Sequence, residues 1–65
     1  MGKRAILKQL EEAVRARGWE VRRETGSFLG GPCRLKGRSV VVLNRRSPVE
    51  IQVAILEEAL RRAPL

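Results

Sequence analysis

The sequence predicts an α+β fold: helix, strand, β-hairpin, helix, giving a three-stranded sheet with two helices on one face. Three observations carry this expectation. Apolar residues recur at helical spacing near both ends of the chain, short alternating or β-branched runs fill the middle, and glycine or proline marks the boundaries. The 65 residues are expected to form a single small domain, 1–65, near the lower size limit for folding alone.

The first helix is expected over residues 3–17. Ile6, Leu7, Leu10, Ala13 and Val14 line one face, and Lys8, Glu11, Glu12 and Arg15 occupy the other. Glu11 and Arg15 form a supporting i,i+4 pair, and Gly18 tolerates the left-handed conformation that ends a helix. Residues 19–24 alternate at their start and read as a short strand, followed by a glycine-rich loop over 25–32. Cys33 to Lys36 alternate again, with Cys33 and Leu35 on one side. Gly37-Arg38 is expected to supply the tight turn into Ser39–Asn44, the strongest strand. Arg45-Arg46 then lead to a second helix, with Ser47 as N-cap, Pro48 at the first helical position and Glu50 completing a capping box. Its apolar positions form two adjacent stripes, Val49, Val53, Leu56, Leu60 and Ile51, Ala54, Ile55, Ala59. Glu57–Arg61 and Glu58–Arg62 pair on the wet side, and Pro64 stops the helix.

Strand 39–44 raises a packing problem. Val40 and Val42 point opposite to Val41 and Leu43, so one pair faces away from the helices. Leaving large apolar side chains in water costs roughly 1.5–3 kcal/mol each. Either Phe28-Leu29 folds over them or a second copy of the chain does. A homodimer is expected, with Phe28, Leu29, Val40 and Val42 as its contact surface.

Composition excludes much familiar chemistry. Histidine, aspartate and tyrosine are absent and Cys33 is the sole cysteine, so neither an intrachain disulfide nor a Cys/His zinc site can form. No catalytic residues and no cofactor are expected. Cys33 has no histidine to act as its base and reads as a buried, inert thiol. Gly26 and Gly31 have the spacing of the glycines in a phosphate-binding loop, but Pro32 and Cys33 stand where Lys and Ser/Thr are required. The lone thiol, and the lack of any export signal or long apolar run, make a cytoplasmic protein without membrane contact the expectation.

Charge is the most informative feature. The chain carries a net +7, and residues 21–46 hold Arg22, Arg23, Arg34, Lys36, Arg38, Arg45 and Arg46 against Glu24 alone. Arg34 and Lys36 share a strand phase, with Arg38 beside them, so a clustered patch is expected. Such a patch attracts polyanions by counterion release, and nucleic acid is the commonest. Trp19 and Phe28 are the only aromatic residues, so base stacking is not expected to carry recognition. The two readings are therefore a basic nucleic-acid-binding module and a protein-interaction domain whose charge keeps it soluble.

The run Gly30-Gly31-Pro32-Cys33-Arg34-Leu35-Lys36-Gly37-Arg38, followed by Val40–Asn44 and a final helix, resembles small uncharacterised bacterial domains carrying G-G-x-C-R-x-x-G. That resemblance implies no particular activity. The hairpin–Asn–helix order is also similar to the core of ImmA/IrrE-type zinc metallopeptidases, whose helix bears H-E-x-x-H. Here the matching run is Glu57-Glu58-Ala59-Leu60-Arg61, which keeps only Glu58, so the resemblance implies a lost zinc site and argues against proteolysis.

Overall fold

The computed structural model describes residues 2–62 and 64. Along the chain lie α1 (Lys3–Ala16), β1 (Glu20–Glu24), β2 (Gly30–Leu35), β3 (Arg38–Asn44) and α2 (Val49–Arg61). This is the expected α+β order. The termination of α1 shows how closely local chemistry dictates it. Gly18 takes φ +101°, its N–H donates to the Arg15 carbonyl, and the Trp19 N–H reaches back to the Val14 carbonyl at 3.1 Å. These two bonds form a Schellman cap, and its customary apolar contact is supplied by Trp19 and Val14, both buried.

The sheet has the order β1-β3-β2. β1 runs parallel to β3 (Val21 opposite Val41), and β2 runs antiparallel to it (Cys33 opposite Val40). Both helices cover one face. Leu7, Val14, Trp19, Val41, Leu43, Leu56 and Ala59 form the buried cluster between them and the sheet. The helices run parallel to each other: Lys3 at the start of α1 meets Glu50 at the start of α2, and Arg17 past the end of α1 donates to the Leu60 carbonyl.

Three boundaries differ from expectation. β2 begins at Gly30, not at Cys33, because Gly30 and Gly31 pair with Leu43 and Val42 despite lacking side chains. The hairpin turn is Lys36-Gly37, one residue earlier than expected. Both residues have positive φ, +52° and +79°, as the common two-residue hairpin turn demands, which leaves Arg38 free to pair with Leu35. At α2 the cap residue is Pro48, and no side-chain cap bond is made by Ser47 or Glu50. The Ser47 carbonyl instead accepts from the buried Gln52 amide at 2.9 Å. The wet-side pairing also shifts, since Glu58 engages both Arg61 and Arg62.

Because β3 lies in the middle, the chain between β1 and β2 must cross its end. Asn44 holds that crossing. Its Nδ2 donates to the carbonyls of Gly26 (2.8 Å) and Phe28 (2.6 Å), while its Oδ1 accepts from the Arg46 N–H (3.0 Å). Where the loop enters β2, a Cβ on Gly30 would lie 2.5 Å from the Val42 carbonyl oxygen, at a φ of +96°. Gly30→Ala is expected to cost about 3 kcal/mol, from backbone strain and the clash together. Asn44→Ala should cost a similar ~3 kcal/mol by stranding three backbone groups. Urea titration of each variant checks both, and a midpoint unchanged in either would contradict this account of the crossing.

Candidate nucleic-acid interface

Alternation along the strands sorts the seven basic residues into separate groups. Arg22 and Arg38 belong to the helix-free face, in register with Val42 and Leu35, whereas Arg23 and Arg34 belong to the helix-covered face, beside Leu43 and Ser39. Lys36 sits in the hairpin turn. Arg45 and Arg46 follow the far end of β3, some 23 Å from Arg38 at ordinary strand rise. The single patch expected from the sequence is therefore divided, and Arg34 does not share a face with Arg38. Arg34 and Lys36 are expected to share a phase with Arg38 in the turn beside them; instead Lys36 is in the turn and Arg38 opens β3 on the opposite face from Arg34.

Arg22, Lys36 and Arg38 do converge. Together with Glu20, Leu35 and Val40 they line one cleft of about 410 Å³ on the helix-free face. Glu20 binds two of the three cations, 3.7 Å from Arg22 and 3.2 Å from Arg38. All four residues are substantially exposed, so these ties are solvent-screened and worth well under 1 kcal/mol each. An incoming anion can compete for them. The arrangement also corrects the expectation for Val40. Though it lines the cleft, it is only 1% exposed and so offers no contact surface. Val42 is half-buried, Leu35 (41% exposed) reaches solvent beside the cleft, and Phe28 (39%) and Leu29 (69%) do so at the Asn44 end of β3. Cys33 is half-buried on the same face, not enclosed in the core.

Arg23 has a structural task. It contacts Glu11, whose side chain is 7% exposed and which also lies 3.6 Å from Arg15. Helical phase placed Glu11 on the wet side of α1; the arginine from β1 instead closes over it. A second cavity, of about 390 Å³, is lined by Arg4, Arg23, Arg45, Ser47 and Gln52 among others at the start of α2. Arg4, Ser47 and Gln52 were not foreseen as site residues. The visible signal was Lys3-Arg4 in the first turn of a helix, where positive charge opposes the helix dipole. Close by, the Lys3 ammonium bonds to Glu50 and holds its carboxyl below the ordinary value of 4.5, assisted by the Glu50 backbone N–H. A lowered folded-state value means this tie is in force above the unfolded carboxyl value and is lost as pH falls through the folded one.

No family model matches the chain, and no curated protein or solved structure matches it either. Among the described residues no helix is long and apolar enough to cross a membrane. Arg23→Ala leaves the Glu11 carboxylate buried with a weaker partner, and is expected to destabilise by about 3 kcal/mol. Thermal melts followed by circular dichroism check this, and Arg22→Ala, on the exposed face, should melt within a few tenths of a kcal/mol of the parent.

Proposed function

We propose that this chain is a non-catalytic binding module that engages nucleic acid or another polyanion through the helix-free face of its sheet. The supporting observation is the convergence of Arg22, Lys36 and Arg38 on one uncovered cleft with a single carboxylate, Glu20, among them. Guanidinium and ammonium groups on a flat, helix-free surface suit an extended phosphate backbone, which each contacts with release of a counterion. With Trp19 buried in the core, base stacking is left to Phe28 alone, and binding with little sequence preference follows. The absence of histidine, aspartate and tyrosine from the sequence supports the non-catalytic reading, and its lone thiol supports a cytoplasmic setting.

Three phosphate contacts give an expected slope of log affinity against log salt near −2 for single strands and near −3 for duplex DNA. Fluorescence anisotropy with short labelled DNA and RNA over a chloride series measures it. Arg38→Ala should flatten the slope by about one unit, and Glu20→Gln, which frees two arginines, should tighten binding about threefold. Affinity that is absent at low salt, or insensitive to salt, would overturn the proposal.

A second reading, homodimerisation or another protein contact without nucleic acid, is supported by the exposure of Phe28, Leu29 and Leu35. On that reading Leu29→Lys, at a residue 69% exposed, dissociates the assembly without unfolding the chain. Sedimentation of parent and variant decides it: a parent already monomeric at high micromolar concentration would dismiss a homodimer.

A further inference from the structure

β1 leaves one edge of the sheet open. Its sheet neighbour is β3, and among the described residues no other strand pairs along its outer side. The Glu24 carbonyl accepts from the Arg45 N–H at 2.8 Å, so Glu20, Arg22 and Glu24 direct their backbone groups towards β3. Alternation then turns the N–H and C=O of Val21 and Arg23 outwards. A row of unpaired groups of this kind templates another strand.

The opposite edge is poorly suited to such pairing. Lys36-Gly37 closes the hairpin, so Leu35–Arg38, Cys33–Val40 and Gly31–Val42 are its hydrogen-bonded pairs. Pro32 lies between them and has its nitrogen on the outer side, where it offers no N–H. The donor missing from the middle of β2 leaves β1 as the edge that can extend the sheet.

The side-chain order along β1 says what fits there. A second copy related by a two-fold axis perpendicular to the sheet runs antiparallel and keeps its helices on the same side. With the axis at Arg22, arginine opposes arginine and Glu20 opposes Glu24 of the second copy. An axis at Arg23 again sets two arginines together, and one at Glu20 sets two glutamates together. With the axis at Val21, valine meets valine and Glu20 meets Arg22 in both directions. Like charges directly opposite destabilise a strand pair and unlike ones stabilise it, so this register is selected. Val21 is half-buried and packs on the core, and a second Val21 covers its remaining surface. On α1 the exposed Lys8, Glu12 and Arg15 beside Arg23 carry both signs, so two such helices do not confront one another with a block of like charge.

We propose that two copies of this chain join through β1 about a two-fold axis at Val21, forming one continuous six-stranded sheet. The Val21 N–H and carbonyl bond reciprocally across the axis. Glu20 of the second copy lies beside Arg22, so each copy contributes a carboxylate to the other's cleft, and the two clefts share one face. This contact differs from the Phe28, Leu29 and Leu35 surface, and it does not rest on polyanion binding.

The test is sedimentation velocity in about 0.15 M salt, which screens repulsion between the +7 chains beyond about 8 Å. The parent is expected to dimerise with a Kd on the order of 10–100 µM, as a small interface gives. Glu20→Arg and Arg22→Glu, both on the helix-free face, should fold and each weaken self-association about tenfold or more. An equimolar mixture of the two should recover it, because every cross-pair is then opposite in sign. Hydrogen exchange should show the Val21 and Arg23 amides gaining protection as concentration rises. A parent monomeric at about 1 mM, a mixture no heavier than its components, or Val21 protection independent of concentration would each overturn the proposal. So would a Leu29→Lys variant that no longer associates, which assigns the contact to the loop surface. These measurements contain no nucleic acid, so a monomeric parent leaves the polyanion reading standing.

Discussion

The fold rests on one constraint: the last strand in sequence occupies the middle of the sheet. β3 must present apolar side chains to both faces, pair with a parallel and an antiparallel neighbour at once, and let the β1–β2 connection pass over its end. Its Val40, Val41 and Leu43 are each 1% exposed or less. Asn44 is the residue that makes the crossing possible, because one amide group satisfies backbone groups on both sides of the strand's end. The same position then starts the turn that delivers α2. The division of the basic surface follows from this placement, since it decides which arginine faces which way.

A chain this small lacks the apolar residues to cover a sheet twice. The helices protect one face, while on the other Val40 is buried although it shares a cleft with Arg22, Lys36 and Arg38. The Glu20 ties restrain Arg22 and Arg38 without committing them, unlike Arg23, which is spent on a buried carboxylate.

Much of the architecture was legible because local signals agreed. Gly18 after a periodic stretch, the β-branched run at 40–42 and the apolar stripes of 49–60 each identify one element unambiguously. What was not legible depends on partners distant in sequence. Nothing near Gly30 announces a strand, since its place there is set by the Val42 carbonyl across the ladder. The S-x-x-E pattern at 47–50 promised a capping box, but Glu50 is drawn to Lys3, 47 residues away, and the Ser47 carbonyl to Gln52. Glu11 looked solvated because its helical phase is polar, and only the parallel strand β1 brings Arg23 over it. The basic surface was read correctly as a surplus and incorrectly as one patch, because Arg38, expected in the turn, is the first residue of β3 and there faces away from Arg34.

The strand order also governs how the chain can assemble. The β2–β3 hairpin closes over two residues and forms from local contacts, whereas β1 has no lateral partner until β3 exists some 20 residues later. Loop-closure entropy must be met before that parallel pairing returns anything. β1, with α1 before it, thus finds its place in the sheet only once the central strand of the hairpin is there to receive it. The chain must be made at least as far as Val40 before Glu20 can close the first parallel pair.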